Sequence, residues 1–127
     1  HFNDSTKWRQ ALEEFKKARD LGYTERGNLF FAMGTTYLNL GQFKEAIAVL
    51  TQAAAEKKEA DIYYQLGVVY SRINNIPKAV EVTEEAIKID PTYVAAYYNL
   101  SQLYKSLGNK AKSSQYFEQY QLLSAKK

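Results

Sequence analysis

Phe30-Phe31-Ala32-Met33-Gly34-Thr35-Thr36-Tyr37 is one of three copies of the same phrase. The others are Tyr63-Tyr64-Gln65-Leu66-Gly67-Val68-Val69-Tyr70 and Tyr97-Tyr98-Asn99-Leu100-Ser101-Gln102-Leu103-Tyr104. Their first aromatics lie 33 and then 34 residues apart. Self-similarity at one fixed period of this size marks a stack of repeats and not a single irregular fold. It also turns the question of function from catalysis toward surface recognition.

Working outward, each repeat reads as two helices. Leu29, Phe30, Met33, Tyr37 and Leu40 fall at helical spacing, with Gly34 among them. Breaks follow at Leu40-Gly41-Gln42, Arg72-Ile73-Asn74-Asn75 and Leu107-Gly108-Asn109. Gly and Asn tolerate the left-handed backbone that ends a helix. A second helix then carries Phe43, Ala46, Ile47, Leu50 and Ala53, and in the next copy Ile76, Ala79, Val80, Thr83 and Ala86. Pro77 suits a first helical turn, and Asp90-Pro91 closes its repeat. At the N-terminus Trp8, Ala11, Phe15 and Ala18 match Phe43, Ala46, Leu50 and Ala53 at an offset of 35. They form a second helix without its first. The expected organisation is one domain over residues 1–127: a half repeat at 6–21, then complete repeats at 27–59, 60–93 and 94–127.

These residues resemble the tetratricopeptide repeat, whose pattern is W-x2-L-G-x2-Y, then A-x3-F, then A and P. The first complete copy supplies Phe30, Met33, Gly34, Tyr37, Ala46, Leu50 and Ala53, with Lys58 in place of Pro. The second supplies Tyr63, Leu66, Gly67, Tyr70, Ala79, Ala86 and Pro91, with Thr83 where a large apolar residue is usual. In the third, Tyr97, Leu100, Tyr104 and Phe117 fit, while Ser101, Ser113 and Tyr120 replace small apolar residues. The resemblance implies an all-α, right-handed solenoid of antiparallel helix pairs, about seven helices in all.

Composition narrows the chemistry. The chain has 127 residues and no Cys, which excludes disulfides, thiolate zinc sites and a cysteine nucleophile. No apolar run reaches the length of a membrane span. The only His is residue 1, expected to be disordered, and a chain opening on His reads as a cut or processed fragment. Glu13-Glu14 and Glu84-Glu85 are adjacent in sequence, so each pair diverges around its helix and makes no paired-carboxylate site. No phosphate loop, metal cluster or cofactor motif is present. The expectation is no enzyme, no catalytic residue, no metal and no cofactor. The net charge of +3 is uneven: residues 93–127 carry five Lys against Glu118 alone. That basic end fits a solvated terminus, and leaves nucleic-acid binding as a weaker alternative.

The candidate surface is the other face of each first helix: Phe31, Thr35 and Asn39, then Tyr64, Val68 and Arg72, then Tyr98, Gln102 and Lys105. In the resembled family such stripes line a groove for a peptide. The positions that would clamp a chaperone's terminal carboxylate hold Phe31, Thr35, Gln65, Ala95 and Asn99, and only Asn99 is of a clamp type. No such clamp is expected, because a carboxylate in a groove needs cations. The leading expectation is a non-catalytic module binding a protein or peptide in its groove, part of a larger scaffold or assembly protein. The alternative is self-association, as a homodimer, through Trp8, Ala11 and Phe15, whose apolar face lacks a first helix and is covered by residues 1–5 or by a second copy.

Overall fold

The computed structural model describes residues 2–22 and 26–126, without the side chains of residues 2–5, 26 and 27. His1 and Tyr23 lie outside the described residues. Seven α-helices and no strand occur among them: α1 (Phe2–Leu21), α2 (Arg26–Asn39), α3 (Phe43–Glu56), α4 (Ala60–Arg72), α5 (Ile76–Ile89), α6 (Val94–Ser106) and α7 (Lys110–Ala125). The helices form two compact units, residues 1–58 and 59–127.

In the first unit α2 and α3 make an antiparallel pair, and α1 packs on α2. The apolar spacing read from the sequence is the buried face. Leu29, Phe30, Met33 and Tyr37 of α2 meet the interior with Ala46, Val49, Leu50 and Ala53 of α3 and Leu12 of α1. Gly34 allows the close approach, since a Cβ there would run into the Leu50 side chain. The pair is closed by Gly41 at φ 76°, whose N–H donates to the Leu38 carbonyl at 3.0 Å while Gln42 N–H donates to Tyr37 at 2.9 Å. Phe2 to Ser5 extend α1 as helix, so they do not fold back across Trp8.

The second unit holds the pairs α4–α5 and α6–α7, with α6 packed on α5. The same turn recurs in both pairs. Asn74 (φ 63°) and Gly108 (φ 79°) occupy the left-handed position. Asn75 N–H donates to Tyr70 O at 2.8 Å, and Asn109 N–H to Tyr104 O at 2.9 Å. Each Asn then caps the next helix, accepting from the N–H of Lys78 and of Lys112. Thr83, the departure from the apolar pattern, is wholly buried, and its hydroxyl donates to Ala79 O at 2.6 Å. It stands opposite Gly67, where a Cβ would collide with Thr83 Oγ1. In the third repeat Ser101, the equivalent of Gly67, and Ser113, the equivalent of Ala79, share a hydroxyl hydrogen bond of 3.3 Å.

Between the repeats of this unit, Asp90 accepts from Thr92 N–H at 3.0 Å and from its hydroxyl at 2.6 Å. These bonds hold the Asp90 carboxyl below its ordinary pKa. Tyr97 donates its hydroxyl to Pro91 O at 2.7 Å. A larger polar knot joins three helices. Glu84 of α5 accepts from Tyr104 of α6 at 2.8 Å and from Tyr116 of α7 at 3.1 Å. The two phenol rings stack at 5.7 Å with planes 9° apart. Burial first, then the bond and charge of Glu84, push the Tyr104 phenol up to about 12. Tyr116 moves the same way, from burial first and then the Glu84 charge.

Candidate functional site

The stripes predicted on α4 and α6 meet in one concavity. Tyr64, Val68, Ser71 and Arg72 of α4, with Asn99, Gln102 and Leu103 of α6, line a cavity of about 310 Å³. Tyr64, Val68 and Arg72 recur every four residues, so one face of α4 presents all three. The wall is mixed: aromatic and aliphatic carbon from Tyr64, Val68 and Leu103, amides from Asn99 and Gln102, and the Arg72 guanidinium. Tyr64 is half-buried, its ring 5.2 Å from that of Tyr93, and it packs on the cluster of Ala60, Ala86 and Ala96. It serves the core and the cavity wall together.

The other predicted residues of the second unit are not among its lining. Tyr98 is 42% exposed and leans on Tyr120 at 5.2 Å. Lys105 is exposed and lines a different concavity with Gln102. In the first unit Phe31 and Thr35 are half-buried, and the Thr35 hydroxyl donates to Phe31 O at 3.1 Å within its own helix. Asn39 is exposed. On α1, Trp8 is 37% exposed, and Ala11 and Phe15 are half-exposed.

Some of the surface escaped the sequence reading. Asn99, of a clamp type by its position, joins the α4–α6 cavity instead. Lys110, Ser113, Ser114 and Phe117, read as a solvated end or as pattern residues, line a concavity of about 660 Å³ with Ser101, Gln102 and Lys105. Only the serines at 101 and 113, standing where the pattern wants small apolar residues, hinted at it. Nothing in the periodicity announces the Glu84 knot, because its members come from three helices at unrelated repeat positions.

Among the described residues no group of three or more His, Cys, Asp or Glu gathers to hold a metal ion. Nor is any described helix long and apolar enough to cross a membrane. Paired helices with small residues at each close approach and one repeated turn define a helical-repeat module. The chain belongs to the tetratricopeptide repeat family, whose profiles match residues 27–58, 60–93 and 82–118. Repeats of this family mediate protein–protein interaction and are non-catalytic.

The chain is 30% identical over 102 residues to the tetratricopeptide repeat domain-containing protein PYG7, chloroplastic, of Arabidopsis thaliana. That match covers 76% of this chain and 32% of the relative, so the chain spans about a third of that protein's length. Among solved structures it is similar to a crystal structure of MamA, with a TM-score of 0.88 and 27% identity over 94% of this chain and 70% of that one. It shares the fold of YrrB, with a TM-score of 0.82 and 24% identity over 93% of this chain and 61% of that one.

Proposed function

We propose that the chain is an assembly module that pairs with a second copy of itself through α1. One observation carries this reading. At equivalent positions Ala46, Leu50 and Ala53 of α3, and Ala79, Thr83 and Ala86 of α5, are wholly buried. On α1 the same positions, Ala11, Phe15 and Ala18, remain half-exposed, and Trp8 is 37% exposed. The strip alternates large and small: Trp8, Ala11, Phe15, Ala18. Two copies of α1 running antiparallel about a two-fold axis set Trp8 against Ala18 and Ala11 against Phe15, twice over. Such a patch serves both partners, which is the condition for a closed pair.

Sedimentation over a range of concentrations tests this. The wild-type chain is expected to run as a dimer, and Trp8→Glu as a monomer with unchanged helicity. A buried aromatic anchor of this kind costs about 2 kcal/mol on loss, about 30-fold in Kd. Monomeric behaviour of both proteins at high concentration, with Trp8 open to fluorescence quenching, rules the pairing out.

A second reading rests on the α4–α6 cavity. Its combination of aromatic, aliphatic, amide and guanidinium groups supports the capture of a short peptide of a partner protein, with Arg72 meeting a carboxylate.

A further inference from the structure

The concavity between α6 and α7 has a counterpart one repeat earlier. Shifted back by 34 residues, its lining residues Ser101, Gln102, Lys105, Lys110, Ser113 and Ser114 become Gly67, Val68, Ser71, Ile76, Ala79 and Val80. There the surface is covered, and its cover is a helix. Val80 and Ala79 cluster with Leu100 and Leu103 of α6, with Ile76 packed beside them. Val68 and Ser71 face Asn99, Gln102 and Leu103 of the same helix. The α6–α7 concavity therefore has the form that accommodates a helix.

Its chemistry is different. Val68, Ile76 and Val80 have become Gln102, Lys110 and Ser114. The apolar contacts that seat α6 are replaced by an amide, an ammonium and a hydroxyl. Lys105 and Lys110 are both exposed, and neither has an ion-pair partner among the described residues. Lys110 also opens α7, where the helix dipole adds positive potential. Against these stands one lining carboxylate, Glu118. Phe117, 37% exposed, gives an apolar foothold in the same wall.

We propose that this groove binds an acidic amphipathic helix of a partner protein, laid as α6 lies on the preceding repeat. The partner's carboxylates meet Lys105 and Lys110, and a narrow apolar strip rests on Phe117. An apolar helix is disfavoured there, since it would strip water from the lysines and serines without replacing their hydrogen bonds. A helix favours this site over an extended nucleic-acid strand, because the covered counterpart holds a helix and the wall offers a single ring in place of a stacking row.

The test uses the whole chain and two synthetic helical peptides of equal length. Both share an Ala/Leu strip; one is flanked by Glu and the other by Lys. Fluorescence anisotropy is expected to show binding of the Glu peptide, weakening with added salt, and none of the Lys peptide. Lys105→Glu with Lys110→Glu should lower the affinity on the order of tenfold, the sum of two exposed charge contacts, and should give the Lys peptide a measurable affinity. Phe117→Ala should weaken the Glu peptide too, while Lys88→Glu, at an exposed lysine of α5 outside the groove lining, should leave its Kd unchanged. Circular dichroism of each variant checks the fold. The proposal is overturned by equal affinity for the two peptides, by no binding of either, by indifference to the lysine reversals, or by displacement of the Glu peptide by a random single-stranded oligonucleotide.

Discussion

At the scale of single residues, the second repeat turns on Gly67 and Thr83. Thr83 looks out of place against the family pattern, since a large apolar residue is usual there. The structure supplies the reason. Its hydroxyl is satisfied by the Ala79 carbonyl, and its small volume lies against a glycine that leaves no room for a Cβ. Gly67→Leu is therefore expected to overpack the contact, costing about 1–3 kcal/mol or more, with unfolding that starts in α4 and α5. Tyr120→Ala should cost much less, because that ring is itself only half-buried and leans on the exposed rings of Tyr98 and Phe117. Thermal melts of the two variants check the order. A Gly67→Leu midpoint within a few degrees of wild type contradicts the close approach.

At the scale of helices, the Glu84 knot ties α5, α6 and α7 and makes their packing sensitive to alkali. The phenol of Tyr104 titrates near 12 in the folded chain against its ordinary value of 10. The folded state thus holds its proton where the unfolded state has lost it. The stability this contributes is complete below pH 10 and declines as pH rises toward 12. Melting at stepped pH should show that decline. Glu84→Gln should make it shallower without removing it, since burial is the first cause of the shift. An unaltered profile in Glu84→Gln would mean that the carboxylate does not hold the phenols.

Much at this scale was legible in the sequence. The aromatic doublets set the phase of α2, α4 and α6, and Gly41, Asn74 and Gly108 marked the ends of the first helices. The length of α1 was harder to read, because residues 2–5 carry no repeat signature. The knot was invisible because it depends on which helices become neighbours and not on any period. The cavity walls were half legible: Tyr64, Val68, Arg72 and Gln102 follow from helical spacing. Asn99 and Leu103 point into the same space from the second helix, at an angle that spacing within one helix does not give.

For the molecule as a whole, binding rather than chemistry is what remains once the core is accounted for. The peptide reading of the α4–α6 cavity makes a prediction of its own. A displayed library of random peptides, panned on the chain carrying Lys105→Glu and Lys110→Glu so that the neighbouring groove is silenced, should enrich sequences carrying a carboxylate, and adding Arg72→Glu should lose them. Enrichment no greater without Arg72→Glu than with it removes that reading and leaves the α1 pairing untouched. The three turns at Gly41, Asn74 and Gly108 carry a further consequence. Each makes its closing hydrogen bonds to residues three and five positions back, inside its own repeat. A gene segment of 34 codons copied in tandem would thus bring its own folding instructions for the bend. Such an array can lengthen or shorten by whole copies, and inheritance can test a new length in one step without first inventing a new joint.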